Sequence, residues 1–214
     1  YKRGKQDAAK FLKYEEDVVE PTYQTLKAEL LDKNIFEPIA IYAYYPCISW
    51  DNKIYIFDKK YLFNSLEEAK NVPPLSEAIK VLEFPRQKRK PFRCIADFFA
   101  NDRLDVIAFT LASAGLKISD YERSLYDKGE FTKYYQVHGL GVELAEALAE
   151  VLHKQIRLDL DIVPKEGHTL NDVQMKQYVG CRYSPGYAAC PDLAMNRDIF
   201  DLLNPEEFGI ELSE

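Results

Sequence analysis

One thirteen-residue stretch, numbered 180–192, constrains this chain more than any other part of the sequence. It reads GCRYSPGYAACPD and holds two prolines, two glycines, two cysteines, two tyrosines and one arginine. Proline removes a backbone donor and fixes φ, so the stretch cannot form a helix interior or a central strand. A disordered linker would be rich in Ser, Gly and charge rather than in Tyr and Cys. The stretch therefore predicts an ordered loop that presents one cation and two aromatic rings, and such loops often carry binding residues.

Composition and charge limit the classes to which the chain can belong. Its 214 residues suffice for one sizeable domain, and its net charge of −7 argues against general nucleic-acid binding, which requires a basic face. No apolar run approaches the roughly 18–20 residues of a membrane span, and the N-terminal residues lack the apolar segment of a signal peptide. We therefore expect a cytoplasmic protein with no nucleic acid and no membrane among its partners. Because the chain begins with Tyr1, we expect residues 1–214 to be a single domain of a longer polypeptide.

Cysteine and histidine give no pattern that is typical of a metal centre. The four cysteines form no CxxC pair, and only three histidines are present. Without an export signal, reduced thiols are the expected state. We therefore expect no metal site.

Hydrophobic periodicity predicts several elements in the first half of the chain. Apolar residues at helical spacing indicate an amphipathic helix over 8–31, interrupted at Pro21. The segments 38–46 and 53–58 read as two strands of a hairpin. A weaker helical pattern lies over 65–82, and 105–115 reads as a buried strand that ends at a glycine.

The second half is more helical. An apolar stripe predicts a helix over 139–157, and a short helix is expected over 169–178. Asp192 is a candidate cap for a helix that runs to Leu203, and 208–214 alternates like the start of a strand. The irregular mixture of strands and helices favours an α+β fold with a mixed or antiparallel sheet.

The loop chemistry leaves alternatives open. Arg182 presents a planar fork suited to a carboxylate, or it bonds local carbonyls. Tyr183 and Tyr187 either stack on an aromatic ligand or pack with only the hydroxyl exposed. Gly186 allows close backbone approach or simply turns the chain. Cys190 lacks a nearby base and is better explained as a small buried residue than as a nucleophile.

Glutamates recur at three- and four-residue spacing on the helix predicted over 139–157. Glu143, Glu146 and Glu150 form a solvated face, or one of them meets a cationic ligand. A glutamate together with Arg182 would fit an amino-acid-like zwitterion. The glycine pair Gly139 and Gly141 is read as a helix N-terminal turn rather than a phosphate site.

A run of basic residues, RQKRK over 86–90, stands out in an otherwise acidic chain. It is either a solvated loop or a docking patch for an acidic partner.

Several segments resemble one known family. RYSPGYAACPD resembles the RxxxGYxACP signature of the activation domains of cobalamin-dependent methionine synthases, and LAEALAEVLH resembles their helix LAEAFAEYLH. The hairpin AYYPCISWDNKIYIFD and the segments CIADFFA and DVIAFTLASAG are also similar to family segments in the same order.

This resemblance implies a fold and an activity. The fold would be α+β, a twisted antiparallel sheet with flanking helices in a C-shaped arrangement. The activity would be reductive reactivation: S-adenosylmethionine (AdoMet) methylates cobalamin that a flavodoxin-like electron donor has reduced from its inactive cob(II) form. Cobalamin would be presented by a separate domain, in cis or in trans.

The resemblance also implies site residues. Arg182 would hold the AdoMet carboxylate, and Glu146 would meet its amino group. The loop residues that would line the ligand are Tyr183, Pro185, Gly186, Tyr187 and Ala188. No residue is expected to transfer a proton.

Some positions depart from the family pattern. Relatives often carry proline at the positions of Tyr183 and Ala188, and Lys176 stands where an acidic residue is expected. The chain also lacks the DxHxxG signature of the cobalamin domain. A second hypothesis is therefore a non-catalytic docking or capping module for a corrinoid protein that has lost AdoMet binding. A third is an unrelated domain that binds an acidic or amino-acid ligand.

Overall fold

A computed structural model describes residues 7–162 and 179–212, which fall into two compact units. Of these residues, the first unit comprises 7–39 and 112–148, and the second comprises 40–111, 149–162 and 179–212. Over the described ranges, no helix combines the length and the apolar composition that crossing a membrane requires.

The described residues form helices and strands that alternate irregularly along the chain. The α-helices are α1 (Ala8–Tyr14), α2 (Glu20–Asp32), α3 (Leu66–Ala69), α4 (Leu116–Asp127), α5 (Phe131–Asp159) and α6 (Met195–Leu203). The strands are β1 (Ile39–Trp50), β2 (Lys53–Ile56), β3 (Lys80–Glu83) and β4 (Asp105–Ser113).

The predicted helix over 8–31 is confirmed, and its interruption has a defined form. A π-helical segment, Glu15–Val19, joins α1 to α2, and Pro21 lies in the first turn of α2. Proline has no N–H to give to the preceding turn. A local change of hydrogen-bond spacing therefore lets the helix continue through this position.

The first unit is held by apolar contacts among α2, α4 and α5. Its buried residues include Leu30 of α2, Ile118 and Leu125 of α4 and Val137 of α5. Gly141 of α5 lies so close to α4 that a Cβ added there would be 2.8 Å from Cδ1 of Ile118. Gly141 therefore serves close helix packing.

The predicted start of the long helix at 139 is wrong, because α5 begins at Phe131. Gly139 and Gly141 lie inside α5 and not at an N-terminal turn. Glycine has low helix propensity, so the pair suggested a boundary, but packing of the helix stabilises it through both positions.

A charged cluster joins the same three helices on the surface of the first unit. Glu29 accepts hydrogen bonds from Lys133 at 2.7 Å, Lys33 at 2.5 Å and Tyr121 at 2.7 Å. These donors, with Lys133 foremost, lower the pKa of Glu29 to about 2.

The second unit is built on a four-stranded antiparallel sheet in the order β3-β2-β1-β4. The predicted hairpin is confirmed: β1 and β2 pair with Cys47 opposite Ile56 and Trp50 opposite Lys53. The weak helical pattern was expected to run to residue 82, but residues 80–82 belong to strand β3, in which Lys80 lies opposite Ile56. Tertiary pairing with β2 outweighs the weak helical pattern there. The α+β prediction is confirmed.

The pleat of the sheet divides the core of the second unit into two clusters. Cys47 and Ile48 are sequence neighbours in β1 that belong to different clusters, because successive side chains point to opposite faces. The larger cluster includes Leu202 and Leu203 of α6. In the last turn of this helix, the carbonyl oxygen of Leu202 accepts a buried hydrogen bond from the Tyr45 hydroxyl at 2.5 Å. Helix α6 is thereby fixed to the sheet.

The C-terminal strand predicted over 208–214 is wrong for the described residues up to 212. Pro205–Phe208 form a 3-10 turn, and no strand follows it through Leu212. Asn204, with φ of 47°, and Gly209, with φ of 73°, turn the chain at both ends of this segment. The strand was predicted from apolar alternation over only a few positions. This weak pattern does not form a strand next to the turns at Asn204 and Gly209.

A close backbone contact at Gly115, where β4 gives way to α4, supports a stability prediction. Gly115 has φ of 100°, and a Cβ there would lie 2.6 Å from the carbonyl oxygen of Glu37. We expect Gly115→Ala to lower the free energy of unfolding by about 2–4 kcal/mol, because strain and a backbone clash combine. Gly129→Ala is the matched control, with φ of 75° and no atom within 4 Å, and should cost about 1–2 kcal/mol. Urea unfolding of both variants measures the difference, and equal losses would contradict the clash.

Candidate functional site

The predicted loop over 180–192 is an ordered structure. Gly186 N donates to Cys190 O at 2.8 Å, and Cys190 N donates to Tyr187 O at 2.9 Å. These bonds close a tight turn whose Gly186 has φ of 96°. The prediction that Asp192 caps the next helix is wrong, because the N-cap of α6 is Ala194, which has no side-chain cap. Asp192 Oδ1 instead accepts from Ala194 N at 2.9 Å in the turn before the helix. The loop is therefore a stiff platform between α5 and α6 in sequence.

The last turns of α5 carry a buried basic pair that the sequence analysis missed. Arg157 is 2% exposed and His153 is 6% exposed. Arg157 Nη1 donates to Nδ1 of His153 at 2.9 Å, which places the proton of a neutral imidazole on Nε2. The i, i+4 spacing of the two residues was the available signal.

The pKa of His153 reflects this setting. Burial, and then the positive charge of Arg157, lower it to about 4, while Glu150 acts in the opposite direction. His153 is therefore neutral near pH 7. Because it carries no positive charge, it does not repel the buried guanidinium of Arg157 beside it.

The end of α5 is fixed to β1 within the second unit. Tyr44 donates to Asp159 Oδ2 at 2.7 Å, and Gln155 donates to Asp159 Oδ1 at 2.6 Å. These donors lower the pKa of Asp159. They also offset the unfavourable position of a carboxylate at a helix C-terminus. The side chains on the last turns of α5 are thereby held in place.

Arg182 pairs with a glutamate on this helix. Its Nη2 donates to Glu150 Oε1 at 2.8 Å, and both side chains are about one-third exposed. The second oxygen of Glu150, Oε2, is buried and accepts no hydrogen bond from the described residues. The helix and the loop thus bring together a cation and a carboxylate that lie 32 positions apart in sequence.

The glutamates predicted as one face have different surroundings. Glu143 and Glu146 are exposed, whereas Glu150 is half-buried in its pair with Arg182. The helix therefore has both a solvated face and one carboxylate that meets a cation, but the cation belongs to the protein.

The burial of the remaining loop residues agrees with the sequence-based expectation for Cys190, and it excludes one of the two alternatives for the tyrosines. Tyr183 is 48% exposed and Tyr187 is 69% exposed, so their rings are not packed in the core as one reading expected. Burial and the neighbouring Cys181 raise the pKa of Tyr183, and Arg93 acts against this. The buried reading of Cys190 is confirmed: its Sγ lies 3.4 Å from Sδ of Met195. Pro185 is half-buried and Ala188 is exposed.

Two predictions lie outside the described residues. These are Lys176, which departs from the family pattern, and the helix expected over 169–178.

A cavity of about 630 Å³ lies in the first unit, between α2 and the start of α5. Tyr23, Leu26, Tyr135 and Leu140 supply part of its lining, and its charged lining residues, Glu20 and Glu143, are both acidic. Its lining among the described residues includes no cation that could pair with a ligand carboxylate. The loop at Arg182 has such a cation.

The depressed pKa of His153 predicts a pH dependence of stability. The unfolded chain takes up this proton near pH 6.5, whereas the folded chain resists protonation until about pH 4. The contribution of His153 to stability is therefore lost as the pH falls between these values, by at most about 3 kcal/mol. We expect His153→Gln to unfold in urea with a weaker pH dependence than wild type over this window. His138→Gln, at an exposed histidine, is the control and should follow wild type; identical profiles for all three proteins would contradict the prediction.

Comparison with known proteins agrees with this architecture. Residues 7–214 match the family described as "Vitamin B12 dependent methionine synthase, activation domain". The chain is 35% identical over 187 residues to methionine synthase of Mycobacterium tuberculosis (strain ATCC 25618 / H37Rv), covering 81% of this chain and 15% of the relative. Methionine synthase of Mycobacterium leprae (strain TN) is also 35% identical over 187 residues, covering 81% of this chain and 14% of the relative. The chain thus spans about one-seventh of the length of these curated relatives.

The fold has a solved counterpart. The crystal structure of the MetH reactivation domain bound to AdoHcy matches with a TM-score of 0.75 and 24% identity, over 94% of this chain and 63% of that chain. The family match covers nearly all of the sequence, and the fold is the same. This protein therefore belongs to the family of activation domains of vitamin B12-dependent methionine synthases.

Proposed function

We propose that this chain serves the reductive reactivation of a methionine synthase, by binding AdoMet and positioning its methyl group for transfer to reduced cobalamin. The observation that carries the proposal is the half-buried Arg182, held by Glu150 on an ordered loop at 2.8 Å. A guanidinium in this setting is suited to a ligand carboxylate. The solved relative of the same fold is bound to AdoHcy, the demethylated product of AdoMet.

The residues around Arg182 fit a nucleoside-containing ligand. The exposed rings of Tyr183 and Tyr187 can stack on an adenine or face a sulfonium cation. Gly186, with φ of 96°, brings backbone rather than a side chain to the loop surface. Pro185 and Ala188 complete this part of the lining, and Glu146 on α5 is the candidate partner of the ligand amino group.

The chemistry of the transfer needs no acid or base from this chain. Cobalamin, carried by another domain, supplies the nucleophile once it is reduced. This chain contributes binding and orientation, which hold the sulfonium methyl in line and exclude water. His153 is buried and neutral near pH 7, which is consistent with a structural role.

The partners follow from the same proposal. The chain, as the activation domain of a longer polypeptide, would dock on the cobalamin-binding domain in the cytoplasm. A flavodoxin-like protein would supply the electron.

We expect Arg182→Ala to weaken AdoHcy binding by about 2–4 kcal/mol, because one partner of a partly buried charge pair is lost. Isothermal titration calorimetry measures the affinity, and urea unfolding shows whether the variant is folded. Arg197→Ala, at an exposed position on α6, is the control and should bind like wild type. Unchanged affinity in Arg182→Ala would remove this residue from the site. Failure of the wild-type chain to bind AdoHcy would favour the docking-module alternative.

A basic loop offers a docking surface for the electron donor. Residues 86–93 contain five basic residues and no acidic one, in a chain of net charge −7, and all eight are exposed. The base of the loop is fixed, since Arg86 donates to both oxygens of Asp97 at 2.7 and 2.8 Å and to Phe92 O at 2.8 Å. A preorganised cationic surface on an acidic protein steers an acidic partner to one place.

The loop can be tested by charge reversal. We expect Lys88→Glu/Arg89→Glu/Lys90→Glu to weaken binding of an acidic flavodoxin by about tenfold or more at low salt, through a slower association. A flavin fluorescence titration at low and high salt measures this. The control Lys10→Glu/Lys13→Glu/Lys128→Glu makes the same charge change at exposed lysines elsewhere. Equal weakening in both triple variants would mean that net charge alone acts, and would contradict docking at this loop.

A further inference from the structure

We propose that the cavity of the first unit is a binding site for a small organic cation, in which an aromatic ring carries an ammonium group on a short chain. This inference goes beyond the proposed function. The residues that line the cavity belong to the first unit, whereas the loop of Arg182 belongs to the second.

Two helix faces supply the lining of the cavity. Val19, Tyr23 and Leu26 are spaced by four and three residues, so they lie on one face at the start of α2. The same spacing relates lining residues of α5, which include Thr132, Gln136, Gly139 and Glu143. The volume of about 630 Å³ is typical of sites that bind small molecules.

Gly139 is the residue that points most directly to a ligand. Glycine is unfavourable inside a helix, and at Gly141 close packing on Ile118 explains it. Gly139 has no such explanation, because a Cβ there would meet no described atom within 4 Å and its φ is not positive. Since Gly139 lines the cavity, a side chain at this position would take up cavity space.

The uncharged part of the lining fits an aromatic ring. Leu26 is 7% exposed and belongs to the apolar core of the first unit, against which Leu140 also packs. Tyr23 and Tyr135 are 39% and 69% exposed, so their rings are accessible to a ligand. Buried leucine and exposed tyrosine together provide apolar contact and ring stacking.

The charged part of the lining favours a cation. Glu20 and Glu143 are exposed carboxylates, and none of the described lining residues is Lys, Arg or His. Gln24 donates to Glu20 Oε1 at 2.7 Å, which helps to hold this carboxylate in place. The ammonium of Lys27 lies 5.7 Å from the centre of the Tyr23 ring, so a cation can reach that ring. A ligand carboxylate would be repelled by both glutamates.

Three indole compounds test the charge requirement on the full chain. Tryptamine carries an ammonium group, tryptophol has a hydroxyl in its place, and tryptophan adds a carboxylate to tryptamine. We expect tryptamine to bind about tenfold more tightly than tryptophol, through ion pairing and the cation–π contact, and tryptophan to bind more weakly than tryptamine. Titrations followed by amide NMR signals measure these affinities. No saturable binding of tryptamine at millimolar concentration, or equal affinities for tryptamine and tryptophol, would overturn the inference.

A substitution at Gly139 tests the location. We expect Gly139→Leu to weaken tryptamine binding by about tenfold or more, because leucine fills the cavity. The same change should raise the midpoint of urea unfolding, since leucine is the better helix former. Ala147→Leu, at an exposed position of α5 outside the lining, is the control and should bind tryptamine like wild type. Retained binding in Gly139→Leu, or equal losses in both variants, would overturn the inference. If Gly139→Leu does not fold, Gly139→Ala makes the same test with a smaller side chain.

Removal of the two carboxylates tests the charge from the side of the protein. Glu20→Gln/Glu143→Gln should lower the affinity for tryptamine to about that for tryptophol, and change tryptophol binding less than about twofold. An equal loss for the two compounds would mean that the glutamates act only on the fold, and would contradict their role as ligand residues.

A titration with AdoHcy separates this inference from the proposed function. Gly139→Leu should bind AdoHcy like wild type, because the cavity is a different site. Loss of AdoHcy binding in this variant would make the cavity part of the AdoHcy site and would overturn the inference. Failure of the wild-type chain to bind AdoHcy, with tryptamine still bound in the cavity, would end the proposed function and support this inference.

Discussion

The geometry of the candidate site depends on the pairing of a half-buried guanidinium with a half-buried carboxylate. Arg182 lies on a loop in which backbone hydrogen bonds close the segment from Gly186 to Cys190. The direction of its side chain is set from outside that turn, by Glu150. Glu150 is in turn placed by α5, whose last turn is fixed through the bond from Tyr44 to Asp159. The position of Arg182 therefore traces back to the sheet of the second unit.

A neutral histidine supports the same arrangement. His153 is one turn from Arg157 and close in sequence to Glu150, and burial keeps it uncharged near pH 7. If His153 carried a positive charge, it would repel Arg157 and draw Glu150 away from Arg182. The site thus combines the ion pair of Arg182 and Glu150 with a neighbouring histidine that is kept neutral. The absence of a charge on His153 favours the ion pair, because it leaves Glu150 to pair with Arg182.

Sequence reasoning predicted the elements that have a strong local signal. The hairpin of β1 and β2 followed from the strand-like segments 38–46 and 53–58. The stiff loop followed from its prolines and glycines. The start of α5 was not predicted correctly. Gly141 of α5 packs against Ile118 of α4, and no local sequence pattern encodes such packing between helices. Strand β3 was missed for a similar reason, since its partner β2 decides its state.

The candidate site was predicted in composition but not in pairing. Arg182 and a glutamate were expected to cooperate, and the resemblance pointed to Glu146. The contact with Glu150 depends on how a loop folds back on a helix 32 positions earlier, which spacing alone cannot specify. The role of Glu146, the lining residues of the loop and the single-domain organisation stay predictions.

The π-helical segment between α1 and α2 has a consequence for reading related sequences. A π-helical turn is equivalent to one residue inserted into a regular helix, and each residue of an α-helix advances about 100° around the axis. The residues of α1 therefore follow a helical phase different from that of α2, although the two helices are continuous. In a relative that lacks one residue within Glu15–Val19, the helix would be regular, and position-by-position alignment across this segment would compare side chains on different faces.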